Sequence, residues 1–220
     1  MRTYLVPVVL ASIALASCTA TVGRPPGSGF LGDSRTYSAM VPSETTPNTW
    51  VWRDPARSLS EFAAVAFEPT VMMPAPASRL GDLDQDKLNE LARAFDEELR
   101  AALTPAYRLA TKPEEGVLWI RPAITIVDPA LTFWGVDRPL GKPGKGAGGA
   151  AVELDFLDGM TQRRVAAIQA RGFAEWTEDR AGEASWERPR DVLKRWALLL
   201  RQRLDEAHGR TTPSEEQGTK

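Results

Sequence analysis

A single cysteine in 220 residues, at position 18, is the feature that most restricts how this chain can fold. No disulfide can close within it, so the fold must be held by apolar burial and hydrogen bonding alone. With 43% apolar and 25% charged residues the chain has the ordinary balance of a globular domain. About 165 residues remain once the two ends are set aside, enough for one domain burying roughly 70% of its unfolded surface.

The cysteine also has a telling position. Arg2 supplies a small positive start, Tyr4 to Ala16 is almost wholly apolar, and Leu15-Ala16-Ser17 places small residues directly before Cys18. This order reads as a secretory signal over residues 1–17. The apolar run is about 13 residues against the roughly 20 a membrane-spanning helix needs, and Pro7 interrupts it. Leu15-Ala16-Ser17-Cys18 resembles the lipobox of bacterial lipoproteins, which implies a thioether-linked diacylglycerol on Cys18 as the first mature residue. Each buried methylene contributes roughly 0.8 kcal/mol, so two or three acyl chains would hold the protein to a membrane essentially permanently. Thr19 follows Cys18, so the aspartate that retains some lipoproteins at the inner membrane is absent. The expected location is the outer membrane, facing the periplasm.

Removing the signal leaves 26 Lys plus Arg (27 less Arg2) against 29 Asp plus Glu, a formal net charge of −3. Nothing in that balance favours nucleic acid.

Residues 18–47 are rich in Gly, Pro, Ser and Thr, with Arg24-Pro25-Pro26-Gly27-Ser28-Gly29 the least foldable part, and read as an acylated N-terminus and flexible tether. Within it Gly29-Phe30-Leu31, Tyr37 and Met40 are apolar enough to dock on the domain expected over 48–210. Phe62 to Glu68 reads as a buried strand ended by Pro69 and resuming over Thr70 to Met73. Leu88, Leu91, Ala92, Phe95, Leu99, Ala102 and Leu103 recur at helical spacing, with Asp82, Asp84 and Asp86 at the start and Pro105 at the stop. Val117 to Val127 alternates, with Leu118, Ile120, Ile124 and Ile126 on one side, while Pro122 predicts an edge strand or a bulge. Ala150 to Leu157 and Arg164 to Arg171 form a hairpin turning at Asp158-Gly159. A last helix opens at Pro189 and Asp191, buries Leu193, Trp196, Ala197, Leu200 and Leu204, and closes on Arg201, Arg203, His208 and Gly209. Residues 211–220 read as a disordered tail. The order predicts an α+β two-layer sandwich: an antiparallel or mixed sheet with two helices packed on one face.

Three short motifs carry a resemblance to a family of bacterial lipoproteins grouped as domain of unknown function 3313. They are Gly29-Phe30-Leu31-Gly32-Asp33, Gly148-Gly149-Ala150-Ala151-Val152-Glu153-Leu154 leading into Leu157-Asp158, and Asp191 to Leu204 around Trp196-Ala197. Met160-Thr161-Gln162 stands where that family's turn carries a Thr-Gly pair. The resemblance implies an envelope lipoprotein and brings no catalytic residue with it.

Candidate chemistry is sparse. His208 is the only histidine and has no partner for zinc or for activating a nucleophile; near a helix C-terminus it reads as a partner of the dipole. Gly141-Lys142-Pro143-Gly144-Lys145-Gly146 lacks Walker spacing and precedes a strand, which favours a surface loop. Glu153, Asp155 and Asp158 could suit a glycosidase, but Glu153 and Asp155 share the strand face opposite the apolar residues and read as solvated. Of seven tryptophans, Trp50, Trp52, Trp134, Trp176 and Trp186 fall in segments that read as loops, as core covers or contact surfaces; Trp196 reads as core and Trp134 as exposed.

The residues thus predict no enzyme, no cofactor and no metal site. They point to a non-catalytic envelope module held to the membrane through acylated Cys18. Its partner would be an envelope protein or the cell wall, met by the sheet edge and the Phe133 to Gly149 loop, with Phe133, Trp134, Lys142 and Lys145 as contacts. A hydrolase of cell-wall glycan or peptide, or a lipid or small-molecule carrier, are the rival readings. Convergent acids in a cleft would favour the first, and a large apolar pocket the second.

Overall fold

The computed structural model describes residues 24–32, 34–76, 78, 80–128, 149–173 and 186–211. Eight strands form one mixed sheet: β1 (Val41–Pro42), β2 (Thr49–Arg53), β3 (Ala64–Phe67), β4 (Val71–Met72), β5 (Arg108–Leu109), β6 (Val117–Asp128), β7 (Gly149–Asp158) and β8 (Arg164–Phe173). Their order is β1-β2-β8-β7-β6-β3-β5, with β4 continuing the β3 side of β6. The pairs β1/β2, β2/β8, β7/β8 and β6/β7 are antiparallel, while β3, β4 and β5 pair in parallel. Parallel pairing of β3 with β6 requires a crossover, which helix α2 (Gln85–Leu103) supplies.

Helix α2 follows from its sequence. The Asp84 carboxylate accepts from the amides of Asp86 and Lys87 at 2.9 and 3.3 Å, and Leu88, Leu91, Phe95, Leu99 and Leu103 are buried. Helix α3 (Glu187–Ala207) buries Val192, Leu193, Ala197, Leu200 and Leu204 in the same core. Trp196 is half-buried against that core, with its indole over Gly172, rather than fully inside it. The core lies between both helices and one sheet face, lined by Leu118, Ile120, Val152, Leu154 and Phe156. The fold is the expected α+β sandwich, with two long helices on one face.

The helices are pinned to each other by a buried acid. Asp205 accepts the Tyr107 hydroxyl at 2.9 Å and Arg201 Nε at 2.6 Å, and Arg201 also donates to the Ala102 carbonyl. Burial, and then the bond to Asp205, push the Tyr107 hydroxyl up to about 12. His208 caps α3 and packs edge-on against Tyr107, with Nε2 2.9 Å from the Phe62 carbonyl oxygen. Burial and nearby Arg210 lower its pKa. Beyond its place at the helix C-terminus, it joins the helix end to the segment that leads into β3.

Several other expectations change. Trp50 and Trp52 lie in β2, which the sequence reading had as a loop, and Trp186 is half-buried at the start of α3. Strand β6 is interior rather than an edge. Pro122 is tolerated because β3 and β4, paired to residues 117–120 and 123–124, leave a break beside it at Pro69. A bulge does occur, between Ile124 and Ile126, and it shifts the alternation by one residue. Val127 therefore joins the main core, while Ile126 turns to the opposite face beside Ala75 and Ala151.

The β7–β8 turn is built on Asp158. Its carboxylate accepts from the Thr161 and Met160 amides at 2.8 and 2.9 Å and pairs with Arg57 at 2.8 Å, holding its pKa near 2 against burial. Because the folded value lies below the ordinary 3.8, this stability is present above about pH 4 and is lost as pH falls toward 2. Asp158→Asn should flatten the loss of stability between pH 4 and 2 by on the order of 1 to 2 kcal/mol, read from denaturant unfolding across that range.

Candidate functional site

The sheet face opposite the helices is where polar residues converge. The period of β7 sends Glu153 and Asp155 to it, and neither is solvated: their relative exposures are 0% and 1%. The expectation of a solvated acidic face was wrong because the N-terminal residues fold across it. Leu31, Met40 and Trp50 form a second small core there against Ala167, with Phe30, Tyr37 and Trp52 packed around them. Residues 24–47 accordingly contribute to the domain. Even Arg24-Pro25-Pro26, expected to be the least foldable part of a tether, lies on the sheet with Pro25 buried.

Glu153 organises this cover. Its Oε1 accepts from the Ser28 amide at 3.0 Å and Gln169 Nε2 at 3.2 Å, and its Oε2 from the Ser28 hydroxyl at 2.8 Å and the Tyr37 hydroxyl at 2.7 Å. The Tyr37 oxygen in turn accepts from the amides of Gly29 and Leu31 at 3.0 and 3.1 Å, and Ser28 Oγ from that of Phe30 at 3.1 Å. Four consecutive amides, 28 to 31, are thus satisfied by three side chains. The turn has φ of 91° at Gly29 and 87° at Gly32, a region open to glycine at little cost. Burial raises the pKa of Tyr37, with its bond to Glu153 acting in the same direction, so it stays a proton donor. Arg24 closes the network, with Nε on Gln169 Oε1 at 2.8 Å and NH2 on Met40 Sδ at 3.2 Å.

Beside this latch is an open cleft of about 550 Å³ lined by Glu68, Trp119, Arg121, Asp155, Leu157, Gln162 and Arg164. Asp155 is gripped by Arg164 through both oxygens, at 2.6 and 3.0 Å, and approached by Arg121 at 3.6 Å. Arg121 also pairs with Glu68 at 2.9 Å and lies over the rings of Phe30 and Trp119. Arg164 reaches Thr36 of α1 (Ser34–Ala39) at 2.8 Å. Both cleft carboxylates are ion-paired. Among the described residues no group of three or more His, Cys, Asp or Glu could hold a metal. What the cleft offers is a half-buried indole among paired charges.

A family model described as a protein of unknown function, DUF3313, matches residues 26–200. The chain belongs to the DUF3313 family. None of the curated proteins compared matches at a significant level. Among solved structures it is similar to the PelC dodecamer from Paraburkholderia phytofirmans, at 14% identity and a TM-score of 0.38, covering 69% of this chain and 96% of that one. It is also similar to a DUF4136 family protein from Bacteroides thetaiotaomicron, at 10% identity and a TM-score of 0.37, covering 77% of this chain and 97% of that one.

In this DUF3313 chain the first two motifs of the sequence resemblance meet in space, since the turn at Gly29 to Gly32 is held on Glu153. Asp158 belongs to the hairpin turn and pairs with Arg57, apart from the Glu153 network. Cys18, Phe133, Trp134, Trp176, Lys142 and Lys145 lie outside the described residues. The docking expected of Phe30, Leu31, Tyr37 and Met40 is what the structure shows, whereas Arg24, Ser28, Gln169 and the cleft residues Arg121 and Arg164 were not anticipated. The available signal was an acid within the otherwise small and apolar run Gly149 to Leu154, which needs donors if that face is covered.

Glu153→Gln places an amide against donors and should cost about 2 to 4 kcal/mol, while Tyr37→Phe should cost about 1 to 2. Hydrogen exchange of amides 28–31 and denaturant unfolding check both. Unchanged protection of those amides in Glu153→Gln would contradict the latch.

Proposed function

We propose that this DUF3313 chain is a lipid-anchored lipoprotein of the bacterial envelope that acts as a non-catalytic binding or assembly module. Acylated Cys18 would hold it to the outer membrane, facing the periplasm. The observation that carries this reading is how soon the chain joins the domain. Arg24, six positions after Cys18, is already bonded to Gln169, and Ser28 to Glu153. A domain that uses the residues just behind the lipobox is consistent with a mature chain that begins at the lipobox cysteine. No helix among the described residues is long and apolar enough to cross a membrane.

The non-catalytic reading is supported by the use of the acids. Glu153 is sealed under the N-terminal cover, and Asp155 and Glu68 are ion-paired in the cleft. For the partner, an envelope protein or the cell wall, the proposed contacts remain Phe133, Trp134, Lys142 and Lys145. Asp128 and Gly149 are register partners, so the segment carrying these residues leaves and returns at one point of the sheet.

The test is metabolic labelling with radioactive palmitate and fractionation of cells producing the native chain or Cys18→Ala. The native chain should carry label and sediment with outer membranes, and Cys18→Ala should lose both. Equal membrane retention of the two forms would sink the reading.

A further inference from the structure

We infer that the domain is seated directly on the lipid surface, with the sheet face that carries the N-terminal cover turned toward the bilayer and helices α2 and α3 turned away. The inference rests on the lipid-anchor reading and on the length of chain available. From Cys18 to Arg24 there are six Cα steps, which span at most about 22 Å whatever their conformation. A domain of about 165 residues has a radius of gyration near 15 Å and is roughly 40 Å across, so the linkage is about half its width.

Where the linkage ends decides the orientation. Arg24 is tied to Gln169 and Met40, and Gln169 also donates to the Pro26 carbonyl at 3.3 Å. Gln169 faces away from the helices, since the same face of β8 carries Ala167 into the cluster of Leu31, Met40 and Trp50. The helices pack on the other face, against Val165 and Ala166. For α2 or α3 to meet lipid, the linkage would have to pass around the edge of the sheet, two strand spacings of about 4.8 Å from β8, and across a helical layer roughly 15 Å deep, about 25 Å in all and more than six steps reach. Next to Met40, Val41 is 59% exposed and Pro42 is exposed on the two-residue edge strand β1. That edge is the part of the domain we place at the headgroups.

The experiment uses the full-length acylated protein purified from membranes and reconstituted into phosphatidylethanolamine–phosphatidylglycerol vesicles containing a lipid with a nitroxide headgroup. With the Cys18 sulfur in a thioether, an engineered cysteine is the sole thiol, so a fluorophore can be placed by Val41→Cys at the β1 edge or by Asn89→Cys on the exposed side of α2. Val41→Cys should be quenched severalfold more than Asn89→Cys. A Gly-Ser insert of about 30 residues after Thr19, adding on the order of 30 Å of reach, should remove the difference. Equal quenching of the two sites in acylated protein, or a difference that survives the insert, would overturn the seat while leaving the anchor standing. Absence of acylation in the native chain would overturn the anchor and the seat with it.

Discussion

The buried carboxylate of Glu153 is the constraint on which the rest of the N-terminal architecture depends. A carboxylate removed from water costs several kcal/mol unless its oxygens are satisfied, and β7 provides no donor of its own for this side chain. Gln169 supplies one donor from the neighbouring strand; the other three come from Ser28 and Tyr37. The acid and the N-terminal segment therefore require each other. Without the segment Glu153 would sit on an open sheet face, and without Glu153 the four amides of the turn would lose their organiser.

This mutual dependence gives the two sheet faces different characters. One is an ordinary apolar core under α2 and α3, closed at one end by the Tyr107, Asp205 and Arg201 network. The other joins directed polar contacts to small apolar clusters, around Leu31, Met40 and Trp50 and around Ile126. Hydrogen bonds add less stability per contact than apolar burial of a large side chain, but they fix position closely. A face built this way sets where the chain leaves the domain toward Cys18. The same polar contacts continue into the cleft, where Phe30 and Thr36 of the N-terminal segment touch Arg121 and Arg164.

How much of this was legible in the sequence varies with the range of the interaction. Helix α2 could be read because its cap, Asp84, and its stripe, Leu88 to Leu103, are within one element. The β7–β8 hairpin could be read because Asp158-Gly159 and the flanking alternation are local. Strand β2 escaped because Thr49 to Arg53 is short and its stability comes from pairing with β8, more than a hundred residues away. Ile126 was assigned to the wrong face because one extra residue in β6 reverses every later side chain, and a bulge leaves little trace in a period-2 pattern. The acids were misread for a related reason. Alternation says which face a residue takes, but not whether something covers that face.

By itself, then, the sequence determined the α+β class, the two long helices, the hairpin and the family, because each is written in spacing, caps or a contiguous motif. Only the tertiary structure decided that the Gly29 to Gly32 turn is the partner of Glu153, that Pro122 sits in an interior strand, that His208 meets the Phe62 carbonyl, and that Asp155 is closed off by two arginines. Each of those depends on groups far apart along the chain being brought within hydrogen-bonding distance. Burial and charge state belong to that assembled environment and not to the residue alone.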